Sequence, residues 1–229
     1  MTSTLAGNGV EAPSSGGAST PGPGTPSREL LLSPARAGRH VAIRPVVPSD
    51  HQWLYELAVM TDRGAHWRLA GTVPRYEDFV SLLYGRCHAT FALERLSDGR
   101  PFGLCQLYDF DAFSLTGQLT AMIAGPFERK AWPLEGIFLF VDYLFSCYSL
   151  RKLYLESAED EARQYWSAAK RFMTCEGRMI QHRRVFDRFV DTYVFALWRD
   201  DFMAIRDRFL PVVEPLRPRP GPGPEAGGL

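Results

Sequence analysis

The chain has 229 residues, of which 45% are hydrophobic and 13% aromatic, and its 26 Lys and Arg balance its 26 Asp and Glu. This apolar content is enough for a sizeable core and excludes wholesale disorder. The zero net charge argues against a dedicated nucleic-acid binder, which usually carries a basic surplus.

The two ends of the chain differ in composition from its middle. Residues 1–38 are rich in Gly, Ser, Thr and Pro, and residues 211–229 are rich in Pro and Gly. Such segments bury too little apolar surface to offset their ordering entropy, so both are predicted to be disordered tails. We expect one domain over 39–210. The Pro/Arg-rich end also fits a ligand of an SH3-type partner, although a solvated tail is the simpler interpretation.

The first half of the domain predicts a strand over 41–44, a helix opened by residues 48–50 and a second helix over 76–84. The hydrophobic period then changes to two, and the Asp98–Gly99 pair predicts a hairpin. Three successive strands follow from this pattern, over 88–96, 102–108 and 117–124.

The second half predicts a buried helix, in which Pro133 suits the first position because its missing N–H would be unpaired there. A strand over 152–157 and a helix over 160–173 follow, and strands over 178–186 and 189–198 flank a turn at Asp187–Arg188. The predicted order is β-α-α-β-β-β-α-β-α-β-β, an α/β (α+β) fold.

No membrane or secretion signal is visible. The first residues lack the basic and apolar regions of a signal peptide, and the longest apolar stretch, 137–150, contains Asp142 and is shorter than the roughly 20 residues that span a bilayer. Four widely spaced cysteines predict reduced, mostly buried thiols: Cys87, Cys105, Cys147 and Cys175. We therefore expect a cytoplasmic protein with no membrane and no nucleic-acid partner.

The loop before the buried helix is a candidate anion site. A helix N-terminus presents unpaired N–H groups and a positive dipole end, and Arg129 and Lys130 add charged donors. Most strand–loop–helix junctions bind no ligand, so this signal is weak by itself.

The element order and the C-terminal third resemble the GNAT superfamily of acyl-CoA-dependent N-acetyltransferases, in particular its Rim-type branch, which acetylates ribosomal-protein N-termini. The resemblance is most specific where the late helix is followed by Glu176-Gly177-Arg178, a strand, Asp191 and a last strand. It implies a central mixed, mostly antiparallel sheet flanked by helices. It also implies direct acetyl transfer from acetyl-CoA to an amine of a small molecule, an amino sugar or a peptide N-terminus, by a monomer or homodimer.

The resemblance implies an acetyl-CoA site where the third meander strand runs into the loop and the buried helix. The residues that it places there are Met122, Ile123, Ala124, Arg129, Lys130, Ala131 and Trp132. Two glycines of the family loop fall on Arg129 and Ala131, and the Tyr that protonates the CoA thiolate in many members falls on Ala168.

Candidate catalytic residues follow from the resemblance and the strand pattern. Ser167 and Tyr165 flank Ala168 and are candidate acids, and Tyr165 also fits a core position. Glu94 is a candidate base, although this carboxylate also fits a surface role. Gln118 and Thr120 alternate with apolar residues and line either a substrate groove or a solvated face. The five histidines show no metal-ligand spacing, so no metal site is predicted.

The departures at Arg129, Ala168 and Phe172 leave a function of another class open. In that alternative, the chain is a GNAT-fold pseudoenzyme that binds acyl-CoA weakly or not at all and acts as an interaction module.

Overall fold

A computed structural model describes residues 35–127, 132–209 and 214–215, without the side chains of 164–170 and 214–215. The described helices are α1 (His51–Val59), α2 (Arg63–His66), α3 (Tyr76–Tyr84), α4 (Trp132–Cys147), α5 (Glu159–Phe172) and α6 (Arg199–Phe209). The described strands are β1 (Arg36–Ala37), β2 (Val41–Pro45), β3 (Cys87–Arg95), β4 (Pro101–Asp111), β5 (Thr116–Ile123), β6 (Lys152–Ala158), β7 (Thr174–Val185), β8 (Arg188–Trp198) and β9 (Glu214–Pro215).

The strands form one sheet of order β7-β8-β6-β5-β4-β3-β2-β1-β9. Every neighbouring pair is antiparallel except β5 and β6, which are parallel because α4 carries the chain back across the sheet between them. This mixed, mostly antiparallel sheet confirms the predicted fold class.

The structure differs from the sequence prediction at several element boundaries. Strand β7 begins at Thr174 rather than at residue 178, since its pairing with β8 continues across a bulge. Helix α4 begins at Trp132, which makes Pro133 its second residue. Helices α2 and α6 were not predicted: α2 has four residues, too few for a hydrophobic period, whereas α6 has the acidic first turn and basic last turn that suit a helix dipole.

The two faces of the sheet are covered by different helices. On one face, α4 packs its aromatic residues on β3, β4 and β5 in the largest core cluster, which includes Phe91, Leu107, Leu119 and Phe140. On the other, Leu54 of α1 and Phe79 of α3 pack on Ala92, Leu104 and Met122. We call this second face the α1 face. Its apolar cluster ends at β5, so the α1 face becomes polar toward β6.

A buried carboxylate ties both ends of the described chain to α4. Asp142 is 1% exposed and forms ion pairs with Arg36 of β1 and with Arg206 of α6. Strand β1 also pairs with β2 and with β9. The sheet therefore includes residues 36–37, which the sequence assigns to the N-terminal tail.

The four cysteines are free thiols, but only Cys105 is buried, and Cys147 and Cys175 are exposed. The prediction that they are mostly buried was therefore wrong, because both exposed thiols lie at element ends rather than on a core face. Among the described helices, none is long and apolar enough for a membrane crossing.

Candidate functional site

The parallel pair β5–β6 opens into a gap. The strands are paired only at Thr116↔Lys152, Gly117↔Leu153 and Gln118↔Tyr154. Beyond these pairs, residues 119–123 of β5 and 155–158 of β6 have no pairing with each other in the described chain. We call this space the β5–β6 gap. Backbone groups on the β5 edge that faces it are available to a ligand.

Polar side chains of neighbouring strands surround the closed end of the gap. Tyr108 of β4 stands opposite Gln118 of β5, which stands opposite Tyr154 of β6. Because side chains alternate along a strand, these residues share the α1 face with Thr120 and Glu156. The Oε1 atom of Gln118 is buried and has no hydrogen-bond partner among the described groups. The two residues predicted to line a substrate groove, Gln118 and Thr120, therefore lie at the gap.

Tyr108 is in a charged environment at this end. Burial raises the pKa of Tyr108, the negative charge of Glu156 raises it further, and Arg68 opposes the shift. The Arg68 guanidinium lies 4.9 Å from the centre of the Tyr108 ring, where its positive charge meets the ring face. Tyr108 therefore stays protonated at neutral pH and presents a phenolic O–H donor.

Helix α2 lies across the open end of the gap. At its start, Arg63 packs against Gly125, with Nη2 3.8 Å from the position that a Cβ would occupy. At its end, the His66 ring lies 3.8 Å from the Asp160 carboxylate and 3.7 Å from that of Glu161. Arg183 of β7 donates to the His66 carbonyl at 3.1 Å. The helix thus contacts both sides of the gap mouth.

Proteins of similar fold are found among the solved structures. One is a spermidine N-acetyltransferase from Vibrio cholerae in complex with CoA and spermine, with a TM-score of 0.64 and 15% identity, covering 71% of this chain and 98% of that one. Another is the spermidine/spermine N-acetyltransferase SpeG from Vibrio cholerae in complex with manganese ions, with a TM-score of 0.60 and 15% identity, covering 72% and 96%. The chain has the GNAT fold. No family model and no curated protein sequence matches it.

The residues predicted for acetyl-CoA binding are placed in part. Met122, Ile123 and Ala124 lie at the open end of β5, with Met122 buried under the α1 face helices. Arg129, Lys130 and Ala131 lie outside the described residues. Trp132 is the first residue of α4. The centre of its ring lies 6.2 Å from the centre of the Phe127 ring and 5.7 Å from the Arg95 guanidinium. Its role toward a cofactor stays a prediction.

Of the two predicted acids and the predicted base, only the side chain of the base, Glu94, belongs to the described part of the structure. Tyr165 and Ser167 lie on α5, but their side chains are outside the described part. Glu94 of β3 is level with the open end of β5. Its neighbour Leu93 pairs with Gly103 of β4, and Gly103 pairs with Ile123 at the end of β5. That position is about 17 Å along the sheet from Gln118. Its carboxylate accepts a hydrogen bond from Arg44 Nε at 2.8 Å, so Glu94 has a structural partner, and its role as a base stays a prediction.

Arg44 also binds Asp50, through hydrogen bonds of 2.7 and 3.0 Å. Burial of Asp50 works against its ionised form, but the Arg44 bonds and the Val47 N–H outweigh it and lower the pKa of Asp50 below its usual 3.8. The contribution of this pairing is thus present above pH 3.8 and lost as the pH falls through the lower folded-state pKa.

We expect Asp50→Asn to lower the free energy of unfolding at pH 7 by about 1.5–3 kcal/mol, the range for hydrogen bonds to charged groups. The difference from the parent should shrink in strong acid, where the parent carboxylate is protonated too. Urea unfolding at both pH values measures this, with Asp187→Asn in an exposed turn as the control. A difference that stays constant down to the lowest pH would contradict the assignment.

Sequence reasoning missed the contribution of the helical layer to the site. His66 ends α2 and Arg68 lies in the segment that follows it, 40 residues before Tyr108 in the chain. No local pattern links them to the sheet. The available signal was Trp67 between His66 and Arg68, because Trp side chains are highly buried on average, and the structure leaves Trp67 only 3% exposed. Among the described residues, no group of three His, Cys, Asp or Glu side chains is placed to hold a metal.

Proposed function

We propose that the chain is an acyl-CoA-dependent N-acetyltransferase that acetylates an amine by direct attack on the thioester. The observation that carries this proposal is the β5–β6 gap, where two parallel strands part beside polar side chains. A likeness in fold alone does not supply this argument, because one fold hosts many functions.

The donors around the gap fit acetyl-CoA. The open β5 edge over 119–123 offers backbone N–H and C=O groups to the amides of the pantetheine arm. The buried Gln118 Oε1 is an unused acceptor at the closed end. At the open end, the α4 N-terminus and the predicted cations Arg129 and Lys130 suit the pyrophosphate.

Acetyl transfer needs an activated acyl group, a donor for the developing negative charge, two positioned reactants and an acid for the leaving thiolate. Acetyl-CoA supplies the activated acyl group. A backbone N–H of β5 holds the carbonyl oxygen where negative charge develops, and the sheet and α2 position the two reactants. Tyr108 has a raised pKa and keeps its phenolic O–H as a donor beside the gap. Tyr165 and Ser167 remain our candidates for the acid that protonates the leaving thiolate.

Acetyl-CoA binding by the purified chain tests the proposal. We expect a dissociation constant in the micromolar range, about −7 to −8 kcal/mol, and a rise in melting temperature by mass action. If calorimetry detects no heat of binding and millimolar acetyl-CoA does not raise the melting temperature, the enzyme proposal is rejected and the pseudoenzyme alternative remains.

Charge reversal in the loop before α4 tests the pyrophosphate position. We expect Arg129→Glu with Lys130→Glu to weaken acetyl-CoA binding by about 1 kcal/mol per residue, because charge-assisted contacts are reduced by solvent screening. The loss should shrink at high salt. The matched control is Arg86→Glu with Arg151→Glu, at exposed positions beside the other end of β5. Equal affinities of both double variants at low salt would place the pyrophosphate elsewhere.

The finer assignments remain part of this proposal. The Rim-type branch, the cytoplasmic location and the monomeric or homodimeric state are expectations from the sequence, as is the domain boundary at residues 39–210. The two neighbours named above act on polyamines. Whether a polyamine suits this chain depends on the surface beside α2.

A further inference from the structure

The α1 face of the gap carries three hydrogen-bond acceptors to which no described group donates. Two are the side-chain amide oxygens of Gln106 and Gln118, both buried and without a partner among the described groups. The third is the carboxylate of the half-buried Glu156, which forms neither a hydrogen bond nor an ion pair with a described residue. We call these three residues the oxygen triad. Because buried polar groups are normally paired, the triad points to a donor that binds from outside the chain.

The sheet register places the oxygen triad around Thr120. Gln106 of β4 pairs with Thr120, and Gln118 precedes Thr120 by two residues on the same face of β5. On the other side, the β5–β6 pairing ends at Gln118↔Tyr154, and Glu156 is two residues beyond Tyr154. Glu156 therefore stands across the gap from Thr120, at the first α1-face position after the strands part.

The side chain of Gln106 is oriented by its own amide nitrogen. Its Nε2 donates to the Leu83 carbonyl at 2.6 Å and lies 3.4 Å from Cys87 Sγ and from Thr90 Oγ1, all on the α3 and β3 side. A carbonyl only accepts, so the NH₂ end of the amide must face Leu83. The oxygen of the planar amide points away from the nitrogen, and Oε1 is thus directed away from β3 toward Thr120.

The charge of Glu156 is not neutralised by the cations in its neighbourhood. Glu156 is near enough to Tyr108 for its negative charge to raise the pKa of that tyrosine, whereas Arg68 and Arg183 lower it. Both cations have other partners, since Arg68 donates to two carbonyls at the end of α3 and Arg183 donates to the carbonyl of His66. A half-buried carboxylate without an ion pair favours a ligand that carries a positive charge.

We propose that the oxygen triad binds the ammonium group of the amine that is acetylated, over Thr120. This inference rests on the proposed function, for which it names the acceptor class: an aliphatic primary amine that is bound as a cation. A primary ammonium group has three N–H donors and no acceptor. Its donors match three oxygens without a donor, and its charge matches Glu156. An alcohol supplies one donor and no charge, so it leaves the triad unsatisfied.

Binding of small amines to the full chain without CoA tests the inference. Protein-observed NMR titration compares n-butylamine, n-butanol and the n-butyltrimethylammonium ion, which share one alkyl chain. We expect n-butylamine to bind at least about tenfold more tightly than n-butanol, because hydrogen bonds between charged groups are the strong ones. The trimethylammonium ion keeps the charge but has no N–H donor, so it should bind more weakly than n-butylamine.

Variants of the triad separate charge from hydrogen bonding. Glu156→Gln keeps the size of the side chain, and we expect about a tenfold loss of n-butylamine affinity with the n-butanol affinity unchanged. Gln118→Met keeps the shape without the acceptor and should lower the n-butylamine affinity by about threefold. The matched control is Glu77→Gln, an exposed carboxylate in the first turn of α3, which should change neither affinity.

The outcomes distinguish this inference from the proposed function. Equal affinities for n-butylamine and n-butanol, or an unchanged n-butylamine affinity in Glu156→Gln, overturn it and leave the oxygens to water. Equal affinities for n-butylamine and its trimethylammonium analogue overturn the part of the two amide oxygens. Binding of n-butylamine that depends on Glu156, without any acetyl-CoA binding, supports the triad and rejects the acetyltransferase. Acetyl-CoA binding together with an amine affinity that is independent of Glu156 does the reverse.

Discussion

Replacing Asp142 with Asn is expected to lower the free energy of unfolding by about 3–5 kcal/mol, the range for removing one partner of a buried ion pair. The Asp142 carboxylate is 1% exposed and is shared by Arg36 and Arg206. Without it, the Arg36 side chain, only 8% exposed, is left as a buried charge with its desolvation uncompensated. Urea unfolding at neutral pH measures the loss.

Variants of the two arginines rank the contributions around Asp142. Arg206 is 34% exposed, so we expect Arg206→Gln to cost less than Asp142→Asn. Truncation gives a second comparison: deletion of residues 1–36 removes Arg36, whereas deletion of residues 1–34 keeps it. Equal stability of these two truncated chains would show that the Arg36 pair contributes nothing measurable.

Gly64→Ala is expected to destabilise the protein by about 1–3 kcal/mol, the range for overpacking a filled site. A Cβ at this buried position would overlap the carbonyl oxygen of Ala58, which is backbone and cannot turn aside. Helix α2 must then move as a unit, and His66 moves with it. Urea unfolding at neutral pH measures the loss.

Gly125→Ala is the matched control for Gly64→Ala. A Cβ at position 125 meets only the end of the Arg63 side chain, at 3.8 Å, which is ordinary contact. This variant should keep the parent stability. A Gly64→Ala protein as stable as Gly125→Ala would contradict the close packing of α2 on α1.

The sheet was predictable from the sequence because its signals are local. The Asp98–Gly99 pair and the period-two pattern predicted the β3–β4 hairpin, and the alternation of Gln118 and Thr120 with apolar residues indicated the two faces of β5. Helix α2 was not predictable in this way. Its four residues show no period, and its position depends on contacts with β7 and α5 that lie about 100 residues further along the chain.

Residues at the site were predictable from the sequence only where they lie on a strand. Gln118 and Thr120 were identified because alternation placed them on one face of β5. Glu94 satisfied the same rule, yet its partner Arg44 comes from a neighbouring strand whose register no short sequence pattern specifies. A groove of about 390 Å³ combines residues of α1, α2, the segment after α2 and the β7–β8 turn, so only the tertiary structure brings Val73 and Phe186 to one surface.

The parting of β5 from β6 has a consequence for amide hydrogen exchange. Along residues 119–123, alternate N–H groups point to β4, where they are bonded, and to the gap, where β6 offers no partner. Slow and fast exchange should therefore alternate within one strand, whereas a fraying strand loses protection at all its amides together. A ligand that completes the sheet slows the fast set and leaves the slow set unchanged, which makes β5 its own reporter of what occupies the gap.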